Sequence, residues 1–140
     1  MAISQTVCTS FKKELLEGLH VFGSNSFKIA LYTDTANLNA DTTVYTTDNE
    51  VANGNGYSTA GETLGTVTPS SGDGVGFVTF SNATWASSSF TARGALIYND
   101  TQGDKAVMVL DFGANKTSNN STFTVAMPAS TASTALIRIT

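Results

Sequence analysis

Hydrophobic residues along this chain change period once. Phe11, Leu15, Leu19 and Phe22 recur at i, i+4, i+8 and i+11, with Leu16 widening the stripe, which is the spacing of one helix face. Thr9 or Ser10 is placed to cap the first turn. Lys13 and Glu17 stand four apart on the flank, and Gly23 follows the last apolar position, where a left-handed stop costs glycine little. The pattern predicts a short amphipathic helix over Ser10–His20. Such a helix is marginal alone in water, so its stripe has to lie on the rest of the chain, a neighbouring subunit or a larger partner.

From Phe27 onward the period falls to two. Phe27, Ile29 and Leu31 share one face of Phe27–Tyr32, the alternation of a half-buried strand. Further strands are predicted at Thr63–Thr68, Val75–Phe80, Arg93–Tyr98, Ala106–Phe112, Thr122–Met127 and Ala135–Ile139. Pro69–Gly74, Asn99–Asp104 and Asn115–Ser121 separate them as turns or loops, and Leu38–Tyr57 is turn-rich. Within that last stretch Asn53-Gly54-Asn55-Gly56 can supply the positive backbone angles of a tight, exposed reversal. Ala106–Leu110 is apolar on both faces, as a central strand would be. Trp85, Phe90, Leu96, Tyr98, Val109, Leu110, Phe123 and Val125 are expected to fill the core or a trimer seam.

About seven strands with no helical pattern between them point to an all-β fold, an antiparallel β-sandwich or barrel-like body with one short N-terminal amphipathic α-helix. The division expected is an arm and helix over residues 1–23, serving as an attachment element, and a single β-sandwich domain over residues 24–140. A chain of 140 residues fits one domain and can bury a substantial core.

Composition narrows the chemistry. Charged residues make up 13% of the chain, about half the usual share, and the net charge is −4. Eight Phe, four Tyr and one Trp are available for burial, so the chain reads as folded rather than disordered. Seven basic residues scattered from Lys12 to Arg138 do not make the basic face of a nucleic-acid binder. No segment approaches the ~20 apolar residues that span a bilayer. Residues 1–7 lack the basic and apolar regions of a secretory signal, which sets an expectation of synthesis in a cytoplasm. Asn-X-Ser/Thr triplets such as Asn82-Ala83-Thr84 are then chance products of the composition. The single Cys8 has no disulfide or zinc partner and reads as a small buried apolar residue.

No constellation suggests an enzyme, a metal or a cofactor. His20 has no Cys, Asp or second His at triad or ligand spacing. Gly72-Asp73-Gly74-Val75-Gly76 lacks the Gly-Lys-Ser/Thr ending of a phosphate loop and reads as a hairpin turn. Asp34, Asp41, Asp48 and Glu50 match no calcium loop and read as a solvated acidic rim, and Glu50 with Glu62 carries no glycosidase signal. Arg93 is either a solvent-exposed strand-edge residue or a partner for a carboxylate such as Asp111, whereas Arg138 is expected to face solvent.

Several ordered blocks nevertheless carry a resemblance. Cys8-Thr9-Ser10-Phe11-Lys12-Lys13-Glu14-Leu15-Leu16, Phe27–Thr33, Tyr45–Val51, Gly56–Gly61, Thr91–Asn99 and Ala106–Gly113 resemble small virion structural proteins of tailed bacteriophages, over nearly the whole chain. The resemblance implies a protein made in the bacterial host cytoplasm and carried on the outer surface of the virion. There it would act as a capsid decoration or cement protein, a homo-oligomer with a trimer favoured, bound to the major capsid protein or other virion proteins. Phe11, Leu15, Leu19 and Phe22 would then be the assembly anchors. The alternative is a tail- or fibre-associated receptor-binding module, in which Trp85, Tyr45 and Tyr57 stack on host glycans.

Overall fold

The computed structural model describes residues 2–65 and 68–140. Its elements, in chain order, are β1 (Thr6–Val7), α1 (Thr9–Leu16), β2 (Phe27–Tyr32), β3 (Glu62–Thr63), β4 (Ser70–Gly72), β5 (Val75–Val78), β6 (Ala83–Ser88), β7 (Thr91–Asn99), β8 (Lys105–Thr117), β9 (Ser121–Val125) and β10 (Ile137–Ile139). They form a five-stranded sheet in the order β1-β8-β7-β2-β3, a three-stranded sheet β10-β5-β4 and a two-stranded sheet β6-β9, with every strand pair antiparallel. The all-β body with one short helix is thus the observed fold.

The frame of the body is one long, bent β-hairpin. β7 pairs with β8 from Asn99↔Lys105 outward to Thr91↔Thr117, and β6 continues against β9 from Ser88↔Ser121 to Ala83↔Val125. Asp100–Asp104 closes its tip, where Gly103 and Asp104 take positive φ of 66° and 61°. At the bend Ser87 has φ 50°, and the buried Ser88 hydroxyl donates to the Ser121 carbonyl at 2.9 Å and lies 2.8 Å from the Ser118 hydroxyl. The bend lets β6 and β9 carry Trp85 and Phe123 into an aromatic cluster with Tyr57 and Phe90, at centroid separations of 5.0–6.4 Å.

Register and pleat assign the two faces of the large sheet. Antiparallel partners share a face, so Phe27, Ile29, Leu31, Ala95, Ile97, Met108 and Leu110 lie on one side and Ala30, Tyr32, Leu96, Tyr98 and Val109 on the other. All of these are buried. Phe22 and Phe80 pack on Phe27 at 4.6 and 5.5 Å, while Tyr45, from the long segment 33–61, stacks on Tyr98 at 4.7 Å. Neither face is left to solvent, which is why Ala106–Leu110 is apolar throughout.

The helix is shorter than its sequence spacing predicts. It stops at Leu16 because Gly18, not Gly23, takes the left-handed conformation (φ 74°). The Leu19 N–H then bonds the Glu14 carbonyl and the Gly18 N–H the Leu15 carbonyl, a Schellman ending. Neither Thr9 nor Ser10 caps it. The N-cap is Cys8, with no side-chain cap bond, and Thr9 and Ser10 lie inside the first turn. Leu16 falls off the buried stripe and is 91% exposed. Residues 2–23 are also no separate arm, since Ile3, Cys8, Phe11 and Phe22 belong to the same core cluster as the sheet and β1 is its edge strand.

Three strands escaped the sequence pattern: β1, β4 and β6. The Thr63–Thr68 prediction is met only at Thr63, and its Thr66 and Val67 lie outside the described residues. The two turns predicted from glycine spacing are present. Asp73 and Gly74 (φ 53° and 78°) close β4 to β5, and Asn55 and Gly56 (φ 53° and 90°) close Gly54 to Tyr57.

Gly61 is fixed by both conformation and space. Its φ is 81°, and a Cβ there would collide with the Ile29 carbonyl of β2. Gly61→Ala is expected to cost about 3 kcal/mol, combining left-handed strain with overpacking. Urea denaturation should show this as a lowered midpoint at unchanged slope.

Candidate functional site

Among the described residues, two buried polar nodes and two surface grooves offer more than packing. The first node is built on Glu50, whose segment runs beside the end of β2 through the bridge Tyr32↔Glu50. Its carboxylate accepts from the Tyr45 hydroxyl at 2.6 Å, the Tyr57 hydroxyl at 2.5 Å and the Ala60 N–H at 2.8 Å. Tyr57 in turn accepts from the Leu31 N–H, Tyr98 donates to the Ala60 carbonyl and Tyr32 donates to the Thr46 carbonyl. The Tyr32, Tyr57 and Tyr98 hydroxyls thus tie segment 33–61 to the sheet, while that of Tyr45 ties the segment to itself through Glu50. Burial, reinforced by the nearby Glu50 carboxylate, raises the Tyr32, Tyr45 and Tyr57 hydroxyls well above the ordinary phenol range. They stay protonated and act as donors, not bases.

The second node centres on Asn99, which is fully buried at the end of β7. Its Oδ1 accepts from the Thr101 and Gln102 N–H groups, so its Nδ2 faces Asn25 Oδ1 and His20 Nδ1, each at 3.0 Å. His20 Nδ1 is thereby an acceptor, and the ring proton sits on Nε2, which donates to Glu14 Oε1 at 3.0 Å. Lys105 lies 3.7 Å from the other Glu14 oxygen. A histidine beside a carboxylate has the look of a catalytic base, but both ring nitrogens are engaged, one by Asn99 and the other by Glu14. Spacing alone could not have shown this cluster, because its members come from α1, the following loop and β7.

The remaining polar candidates stay apart. Among the described residues no three His, Cys, Asp or Glu side chains converge on a metal-sized space. Asp34 accepts from Asn115, and Glu50 is tied to its tyrosines, so the predicted acidic rim does not include Glu50. Arg93 does pair with Asp111, through a single Nε contact of 3.1 Å. The Gly113 N–H, ahead of Arg93, holds the Asp111 carboxyl below the usual range. Arg138 is exposed and reaches only the Ala132 carbonyl. Among the described residues no helix is long and apolar enough to cross a membrane.

The assembly anchors divide in two. Phe11 (1% exposed) and Phe22 (8%) are spent mainly on the chain's own core, where they meet edge-on at 6.1 Å, and of the two only Phe22 reaches a groove. Leu15 and Leu19 are half-buried. Leu15 lines an almost wholly apolar groove of about 220 Å³ with Phe22, Phe77, Val78, Ile137 and Ile139, between α1 and the β10-β5-β4 sheet. Ile139 on its rim is 58% exposed. The glycan contacts fare worse. Trp85 and Tyr57 are each 2% exposed, and Tyr45 lies against Tyr98 with its hydroxyl on Glu50, so the flat faces that would stack on sugars are covered.

A larger groove of about 560 Å³ opens along β9, which pairs only with β6, and the part of β8 beyond its short pairing with β1. Leu110, Phe112, Phe123, Met127 and Leu136 line it, with Lys116 as its charged member.

Two predictions follow from this chemistry. Glu50→Gln leaves an amide N–H₂ facing hydroxyl donors and is expected to lower stability by about 2 kcal/mol, with Tyr45→Phe costing less, as urea titration can measure. Cys8, fully buried and pushed up to about 11 by burial and then by Glu14, should resist thiol reagents in the folded protein and react once denatured.

Comparison with protein-family models, with curated proteins and with solved structures finds no match to this chain.

Proposed function

We propose that this chain is a structural protein of a tailed-bacteriophage virion, carried on the outer face of the head lattice as a decoration or cement protein. The ordered sequence blocks motivate particle membership. The observation that carries the surface role is the apolar groove between α1 and the small sheet, with Ile139 on its rim and Leu16, 91% exposed, in the next position after Leu15. Exposed apolar groups beside an apolar groove are typical of an interaction surface. In this reading the groove and its rim contact the major capsid protein, and a trimer multiplies the contact.

The geometry suits weak, repeated binding. A groove of this size cannot supply high single-site affinity, but copies tethered to one another and repeated over a shell gain avidity from effective concentration. A role through surface and assembly also matches a body whose two buried polar nodes, at Glu50 and Asn99, are consumed in holding loops. The receptor-binding alternative has lost Trp85 and Tyr57 to the core.

Two measurements test the proposal. Quantitative mass spectrometry of purified particles should find this chain in a fixed ratio of order one per capsid subunit. Leu16→Asp with Ile139→Asp, both at exposed positions, should leave the thermal melt unchanged and cut occupancy by at least about tenfold. A handful of copies per particle, or full occupancy by the double variant, would overturn the decoration role or its proposed surface respectively.

A further inference from the structure

Two Asn-Gly pairs follow one another directly in one turn, Asn53-Gly54 and Asn55-Gly56, and the fold treats them oppositely. Asn-Gly is the dipeptide most prone to self-conversion, because glycine offers no side chain to hinder attack by its own backbone nitrogen on the asparagine side chain. In the first pair both reacting groups are occupied. The Gly54 N–H donates to the Tyr57 carbonyl at 2.7 Å, and Asn53 Oδ1 accepts from the Thr59 N–H at 3.2 Å. In the second pair, among the described residues, neither the Gly56 N–H nor the Asn55 side chain makes a hydrogen bond. Asn55 is exposed at the turn's tip, with φ 53°.

We propose that Asn55 is a site of spontaneous backbone modification and that Asn53 is protected from it. The Gly56 nitrogen, losing its proton to hydroxide, forms a bond to Asn55 Cγ. The Cγ–Nδ2 bond breaks, and Nδ2 leaves as ammonia after taking a proton from water. Water then opens the resulting succinimide at either carbonyl, giving aspartate or isoaspartate. No oxidant or cofactor enters the balance.

The product is not neutral for the fold. The Asn55 carbonyl accepts from the Ser89 N–H at 2.9 Å, and Gly56 sits so close to the hairpin bend that a Cβ on it would stand 2.8 Å from Ser88 Cα. Isoaspartate lengthens the main chain by a methylene at a place with little room for it. It also adds a negative charge to a chain that already carries −4. Tyr57, whose hydroxyl holds Glu50, follows immediately. Conversion at Asn55 therefore loosens the turn next to the tyrosine node.

The test is to hold the full chain in mildly alkaline buffer, folded and in concentrated urea, and follow both asparagines by peptide-resolved mass spectrometry with isoaspartate detection. In the folded protein Asn55 is expected to convert at least about tenfold faster than Asn53, since Asn53 must first break two hydrogen bonds. In urea the two rates should approach each other. Asn55→Gly, which suits the positive φ, should abolish the mass gain in the folded chain without changing its melt. Equal rates in the folded chain, faster conversion of Asn53, or no conversion of Asn55 under conditions where the urea sample converts would each overturn the assignment.

Discussion

One carboxylate holds this architecture together. Segment 33–61 covers a face of the five-stranded sheet with almost no ladder of its own, touching strand backbone mainly through the bridges Tyr32↔Glu50 and Val44↔Lys105. A long stretch so poor in regular hydrogen bonds would ordinarily peel away, because ordering each residue costs entropy that weak contacts do not return. Glu50 removes that freedom by cross-linking the segment to itself at three points, Tyr45, Tyr57 and Ala60, and two of these also meet the sheet, Tyr57 through the Leu31 N–H and Ala60 through the Tyr98 hydroxyl. Charge-assisted bonds to a partly buried carboxylate are among the stronger polar contacts a protein makes, and leaving any donor unpaired carries its full desolvation cost. The stacking of Tyr45 on Tyr98 and the closeness of Gly61 to β2 both depend on that segment staying down.

The same logic explains which parts of the fold were legible in the sequence. β2 and the cores of β7 and β8 announce themselves because both faces are buried and long apolar runs result. β6 was missed because Ala83-Thr84-Trp85-Ala86-Ser87-Ser88 buries small residues and a single Trp, and its pairing depends on β9 lying far along the chain. The helix was overestimated because Leu19 and Phe22 continue the helical spacing after Gly18 has already turned the chain. Phe22 then reaches the core from a loop and stacks on Phe27. A local period records which side chains are buried, not which backbone carries them.

The polar nodes were illegible for a different reason. Glu50 read as one of several solvated acids and His20 as an isolated histidine, since their partners lie on other elements. Asn99, the most connected of these groups, gave no signal beyond its place in a turn sequence. The aromatic residues misled in the opposite sense. Trp85 and Tyr57 sit among Asn, Thr and Ser, the neighbours of a sugar site, yet the bend of the long hairpin folds them inward. Sequence neighbours describe the chain, whereas burial is decided by the second layer that folds over it.

The low charge of the chain takes on meaning only beside the proposed lattice role. A lone domain normally uses charge to stay apart from its copies and to guard open strand edges. Here β9 presents Ser121-Thr122-Phe123-Thr124-Val125 without a charged residue, and β4 is Ser70-Ser71-Gly72. For a protein free in solution that is an exposure to self-pairing. For copies set side by side on a shell it removes an obstacle, because like charges brought within a Debye length of ~8–10 Å would repel at every repeated contact. The constraint that makes the surface poor at solvation is thus the one that makes dense packing inexpensive, and it binds the composition to the assembly reading more closely than any single residue does.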